Sequence, residues 1–244
     1  MPTSVKSGHF ATNCSDHMTL TREAEIAQED TSSGRPKAKR LRDPLETQRK
    51  ILAAAKSEFA KVGLGGARIE AIALKATVNK RMIYEYFHGK DELFQAVLED
   101  AWSDIRDAEK KLELDLLSPA EAIRALMTFT WEYYLRHPEF MSLVNSENLH
   151  RAKHVKRSIP FKDMHVGFID MLQRILDRGV AMRAFRPDVD AVQLHLTIAA
   201  TGFYYLNNRF TGEVIFGFDF VSKEALQKRL AFNIETVLSL LQPR

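Results

Sequence analysis

The chain has 244 residues, 45% of them hydrophobic and 27% charged, with one cysteine and a net charge of +3. That is the composition of a soluble globular protein able to bury a sizeable core, and Cys14 alone excludes an internal disulfide framework or a cysteine metal cluster. No apolar run approaches the roughly 18–20 residues of a membrane span and no signal-peptide core is present, so a cytoplasmic protein with no membrane partner is expected.

Charge is unevenly spread. Residues 1–34 hold 2 basic and 5 acidic side chains, residues 35–90 hold 14 and 5, and the remainder is net −3. A basic segment between two acidic ones is what a polyanion partner requires, because phosphate neutralisation supplies most non-specific affinity for DNA.

Residues 1–34 are rich in Ser, Thr, Glu and Asp without periodicity and read as disordered, with a possible helical turn at Arg22–Gln28. Arg35–Arg42 then packs five positive charges into eight residues. It reads as a solvated linker or as an arm that follows the DNA backbone. Residues 1–42 are therefore expected to form an extension ending in a basic arm. A first helix begins at Asp43-Pro44-Leu45-Glu46, with Asp as cap and Pro at the first position. Ile51, Leu52, Ala55, Phe59 and Val62 form its apolar stripe, and Gly63–Gly66 end it. No Lys-Ser/Thr follows those glycines and no strand precedes them, so they are not a phosphate loop.

Ile69–Phe87, IEAIALKATVNKRMIYEYF, reads as two short helices joined by a tight turn. Ile69, Ile72, Ala73 and Ala76 make one apolar face. Asn79 caps the second helix, which Met82, Ile83 and Phe87 anchor. Lys80, Arg81, Tyr84 and Tyr86 occupy its other side, all able to reach phosphates or base edges. This is a helix-turn-helix pattern, which lays its second helix in the major groove.

From Thr47 to Trp102 the chain resembles the TetR family of bacterial regulators in order and spacing. The matching parts are a first helix ending in Phe-Ala-x-x-Gly, then Ile-x-x-Ala, Tyr-x-Tyr-Phe and Lys-Asp-Glu-Leu. The resemblance implies DNA contacts at Thr47, Arg68, Lys80, Tyr84, Tyr86 and Lys90, with Asn79 at the turn and Arg81 and Met82 where base reading varies. Arg81 is the strongest base reader, since Arg bonds guanine bidentately. Four positions depart from the pattern, one of them Arg81, which sits where a small residue is common. Ala67 and Gly89 stand where Thr or Ser usually caps a helix, and Glu85 would repel phosphate unless Arg81 or Lys80 pairs with it.

Beyond residue 90 the pattern stays helical. Leu93, Phe94, Val97, Leu98, Ala101, Trp102 and Ile105 line a long helix to about Lys111. Ser118-Pro-Ala-Glu121 is a capping box, and His137-Pro138 breaks that helix and starts another. Further helices are expected from Ser158-Ile-Pro160, from Arg186-Pro-Asp188 and from Ser222. Val214–Phe220 reads as a short apolar loop. The fold expected is all-α: a three-helix DNA-binding domain over residues 43–90, then a larger helical effector-binding and dimerisation domain over 91–244. The family resemblance implies a homodimer through the last two helices, where Ala199, Ala200 and Gly202 allow close approach, and so a palindromic double-stranded operator. It also implies a small-molecule effector among Trp131, Tyr134, Met141, Asn145, Asn148, Met164, Phe168, Met171, His195, Phe203 and Tyr204, aromatic and methionine residues with a few polar groups to orient a ligand.

Catalysis is not indicated. HExxH, GxSxG and GxGxxG are absent, and no cofactor or metal is expected. His150 and His154, four residues apart, have metal-ligand spacing but sit among Arg151, Lys153 and Lys156 and read as a solvated basic face. The expectation is a DNA-binding regulator that represses transcription until a small molecule releases it. An effector-independent architectural protein, or an unfamiliar helical enzyme, is the alternative.

Overall fold

The computed structural model describes residues 43–243, so the extension and basic arm expected over 1–42, and the turn at Arg22–Gln28, lie outside the described residues. Among the described residues the elements are α-helices and two short 3-10 turns, without strands. The helices are α1 (Pro44–Gly66), α2 (Ile69–Ala76), α3 (Lys80–Phe87), α4 (Lys90–Lys110) and α5 (Pro119–Arg136), then α6 (Pro138–Leu149), α7 (Ile159–Ala181), α8 (Ala191–Asn207), α9 (Arg209–Phe216) and α10 (Lys223–Leu241).

Local chemistry sets most boundaries. Asp43 Oδ1 accepts from Leu45 N at 2.9 Å and Asn79 Oδ1 from Arg81 N at 2.9 Å, each satisfying a donor that a helix start leaves orphaned. Ser118 and Glu121 form the reciprocal capping box. Gly63 takes φ +69°, the left-handed conformation that glycine adopts without strain, and kinks the end of α1. Val62, just before the kink, is 44% exposed and Leu64, just after it, is buried, so Val62 is not part of the buried stripe expected of it. The cap of α2 falls on Arg68, not on Ala67, and makes no side-chain bond.

Two other expectations are corrected. The helix from residue 188 begins three residues later, because Asp188 is left-handed at φ +65° and Asp190 supplies the cap, accepting from Gln193 N at 2.8 Å. The stretch 214–220 is not all loop: its first three residues finish α9, which Gly217 ends in a left-handed cap. Apolar residues without a recognisable period concealed it.

Core packing joins the helix-turn-helix to the helical body. Phe59 of α1 meets Phe94 of α4 edge-on with ring centroids 5.0 Å apart, and both are fully buried with Ile51, Ile72 and Ile83. Full burial of side chains of this size stabilises by roughly 1.5–3 kcal/mol each. The same cluster continues into Trp131, Tyr134, Phe140 and Tyr205, and Leu64 N donates to Ser146 Oγ of α6 at 3.3 Å. A second cluster, with Ile123, Leu172, Ile175, Leu194 and Val237 at its centre, holds α5, α7, α8 and α10 together.

His154 is not on a solvated face. It is 1% exposed and donates or accepts at Nδ1 to Glu147 Oε2, 2.7 Å away. Glu147 Oε1 also accepts from His154 N at 2.8 Å and Val155 N at 3.0 Å. That carboxylate holds a turn in which Arg151 and Ala152 are both left-handed, a conformation that costs of order 1–3 kcal/mol per non-glycine residue. The His154 ring packs edge-on to Phe94 at 5.0 Å, and Lys153 bonds Asp91. The turn after α6 therefore clasps the start of α4.

Candidate DNA-reading face and effector cavity

α2 and α3 are joined through Thr77, whose left-handed φ of 58° directs the tight turn and whose N–H bonds back to the end of α2. Ile83 faces the core, which leaves Lys80, Arg81 and Tyr84 exposed on the outer side of α3. The Arg81 side chain is 84% exposed and its Nε lies 2.9 Å from Glu85 Oε1. Lys80 Nζ lies 3.4 Å from Glu70 Oε1, and this bond helps hold the Glu70 carboxyl below its usual range, after the larger contribution of a backbone hydrogen bond. Arg68 and Asn79 are exposed nearby, whereas Met82 and Tyr86 are half-buried. Lys90 Nζ donates to Ala67 O at 3.2 Å, tying the start of α4 to the α1–α2 junction. Thr47 is buried and its hydroxyl donates to Asp43 O at 3.0 Å. Lys75, not singled out from the sequence, is also exposed here and bonds Ser57.

The body contains a cavity of about 460 Å³ between α4 and α7, floored by the turn at Leu114–Leu116. Arg178 pins that turn, donating to Leu114 O at 3.1 Å and Leu117 O at 3.1 Å. Met164, Phe168 and Met171, expected at an effector site, do line it. His195 touches it indirectly, its ring 4.8 Å from that of Phe168. The other expected residues are elsewhere. Trp131, Tyr134 and Met141 are core, Phe203 packs edge-on to Tyr134 at 6.1 Å, and Tyr204 is 71% exposed. Asn145 bonds Asn207, and Asn148 is exposed and donates to its own helix at Val144 O. The space beside Trp131 is about 10 Å³, room for at most one water. Larger in volume, at about 640 Å³, is a concavity between α1 and the start of α6. It is more open to solvent and carries Arg49, Lys56, Lys61 and Asp100. A concavity of about 480 Å³ beside Tyr205, Phe218 and Phe232 is also more open, so the α4–α7 cavity is the better small-molecule site.

Two charged residues without an assigned role in the sequence pattern stand in the cavity wall. Arg106 and Glu109 are 8% and 6% exposed, and Arg106 Nη1 lies 2.7 Å from Glu109 Oε2. Burial pushes the Glu109 carboxyl up to about 7, with Arg106 opposing. Burial also lowers His195 to about 4, with Arg106 and His165 adding to the effect, so its imidazole is neutral. The available signal was the register: Leu98, Trp102, Ile105 and Glu109 fall at i, i+4, i+7 and i+11, placing Glu109 in the apolar stripe.

At the far end, α8 and α10 leave apolar side chains uncovered. Leu196 is 53% and Phe232 58% exposed, with Val192 and Leu240 also open. Ala200 is exposed in the same stretch of α8, whereas Gly202 faces inward onto Tyr134 and Trp131. No described helix is long and apolar enough to cross a membrane.

Comparison with known proteins agrees with this geometry. Residues 51–97 match the family described as bacterial regulatory proteins, tetR family, and residues 119–237 match that described as tetracyclin repressor-like, C-terminal domain. The chain is 38% identical over 192 residues to the HTH-type transcriptional repressor NicS of Pseudomonas putida, across 79% of this chain and 91% of that protein. It is 37% identical over 110 residues to the HTH-type transcriptional repressor SCO4008 of Streptomyces coelicolor, across 44% of this chain and 53% of that one. Among solved structures, a tetR-family regulatory protein from Rhodococcus RHA1 superimposes with a TM-score of 0.63 at 16% identity, covering 81% of this chain and 98% of that one. The ketosteroid transcriptional regulator KstR2 of Mycobacterium tuberculosis gives 0.59 at 19% identity, covering 81% and 95%. These structural likenesses concern the fold.

Proposed function

The chain belongs to the TetR family of bacterial regulatory proteins, and from that premise we propose a cytoplasmic, dimeric repressor released from its operator by a small molecule bound between α4 and α7. Regulation of transcription through DNA binding, not catalysis, is the activity of such a protein. The observation that carries the DNA reading is the outer side of α3, where Lys80, Arg81 and Tyr84 stand clear of the core in the segment holding the chain's excess positive charge.

In the proposed complex Arg81 reads bases, while Lys80, Tyr84, Tyr86, Lys90 and Arg68 hold phosphates. The exposed apolar faces of α8 and α10 pair with those of a second copy, and two recognition helices a helical turn of DNA apart then select a roughly palindromic site. Helix α4 is the natural coupler. Its first residue, Lys90, touches the helix-turn-helix, and Arg106 further along it stands in the cavity, about 24 Å away at 1.5 Å per residue. A ligand that moves α4 tilts the two heads out of register. Taking such an equilibrium from almost wholly competent to almost wholly incompetent needs about 5.5 kcal/mol of differential affinity. An effector-independent protein would need this space filled, and the cavity of about 460 Å³ favours the regulated form.

Genome-wide footprinting with purified protein at fixed salt tests the reading. Wild-type protein is expected to protect two-fold symmetric sites, and Arg81→Ala with Tyr84→Ala to lose them. Charge placed at the apolar faces, as Leu196→Glu with Phe232→Glu, is expected to give monomers in the ultracentrifuge that bind DNA weakly. A wild-type monomer without DNA affinity in dilute buffer would refute the proposal.

A further inference from the structure

The Arg106–Glu109 pair says what kind of molecule the cavity takes. Both groups are over nine-tenths buried and both line the cavity, yet Arg106 Nε and Nη1 and Glu109 Oε2 make no well-directed hydrogen bond despite their 2.7 Å approach. The guanidinium carbon lies 4.0 Å from the centre of the Phe168 ring, which covers it on that side. A buried ion pair with hydrogen-bonding capacity left over recovers little of its own desolvation. It is a site in want of a partner.

The two members are not equivalent. Arginine stays cationic at every pH a cell reaches. Glu109 can give up its charge by taking a proton, because burial holds its carboxyl near 7. A cationic ligand on Glu109 would strand the guanidinium, buried and unpaired, which is the costly outcome. An anionic ligand would take the place of Glu109 on Arg106 while Glu109 gains one proton from solvent, leaving the charge inside the cavity unchanged. The remaining wall suits a molecule with one such group. Met164, Phe168 and Met171 are apolar, while Lys110 is engaged with Asp107 at 2.9 Å and Arg174 with Asp115 at 3.7 Å. The exposed carboxylates of Glu113 and Asp163 also line it, so Arg106 is the one buried cation among the described lining residues and a second anionic group would be repelled.

We propose that the effector is a monocarboxylate with a compact apolar body, bound as its anion on Arg106, with Glu109 protonated as it is displaced. This rests on the reading of the α4–α7 cavity as the effector site. Titration calorimetry on the full chain near pH 8, in one buffer of low and one of high ionisation enthalpy, tests it with benzoate, phenylacetate and hexanoate as probes and with benzamide and benzylamine as neutral and cationic counterparts. At least one carboxylate is expected to bind with uptake approaching one proton per protomer, and both counterparts to bind at least about tenfold more weakly. Glu109→Gln should bind the carboxylate without proton uptake. Arg106→Met with Glu109→Met, which leaves no orphaned charge, should lose about tenfold to a hundredfold in affinity. Gly167 lies on α7 at the cavity, with open space where a Cβ would project, so Gly167→Trp should block entry with the ion pair intact.

Failure of all three carboxylates to bind, binding without proton uptake, or equal binding by the double variant overturns the proposal. A neutral or cationic probe blocked by Gly167→Trp but indifferent to the double variant overturns the carboxylate assignment and leaves the cavity reading standing. A ligand that binds the Gly167→Trp chain unchanged overturns the cavity reading itself.

Discussion

Replacing Glu109 by Gln should remove a pH-dependent loss of stability, so that the variant gains on wild type as pH rises, on top of a pH-independent cost of leaving Arg106 without its anionic partner. The carboxyl titrates at 4.5 in the absence of tertiary surroundings and at about 7 when folded. Between those values the folded chain keeps a proton that the unfolded chain has released, so stability falls as pH rises from 4.5 and reaches its lower plateau above about 7. A tenfold change in proton affinity corresponds to about 1.4 kcal/mol. Holding the carboxyl near 7 in place of 4.5 therefore costs about 3 kcal/mol at pH 8, but under about 1 kcal/mol at pH 5. Glutamine has nearly the shape of the protonated acid and no charge to desolvate, so it removes this dependence. Urea unfolding of both proteins at one protomer concentration and several pH values measures the difference directly, provided the slope with denaturant is the same for both. A variant whose stability relative to wild type does not rise between pH 5 and pH 8 would refute the claim that burial outweighs the attraction of Arg106.

Glu85→Gln should raise operator affinity and steepen its loss with salt, because it releases Arg81 from its 2.9 Å ion pair and removes a charge that repels phosphate; gel shifts at two salt concentrations would show it. Gly179→Ala should lower stability by about 1–3 kcal/mol or more, since a Cβ there would lie 2.0 Å from the buried Phe185 ring; thermal unfolding checks this. Glu147→Ala strips the acceptor from His154 N, Val155 N and His154 Nδ1 and should cost about 2–4 kcal/mol. Glu147→Gln keeps an acceptor for the two N–H groups and should recover most of that loss in the same denaturation assay.

What the amino-acid sequence determined by itself was whatever depends on neighbours within about one helical turn. Asp43, Asn79, Ser118, Ser158 and Ser222 are caps because the N–H groups they satisfy lie two or three residues on, and the helix-turn-helix is visible because its apolar face repeats at i, i+3 and i+4. Even there the structure moved a boundary, choosing Asp190 over Asp188 according to which residue was left-handed. Burial of charge and the location of empty space belong to tertiary structure. Arg106 is buried beneath Phe168, which lies 62 positions later, and His154 is buried because Glu147 and Phe94 close on it from α6 and α4. A sequence pattern assigns a charged side chain to water by default, since desolvating it is costly. Only the assembled helices reveal where that cost has been met by a partner, and where, in the wall of the α4–α7 cavity, it has been met only in part.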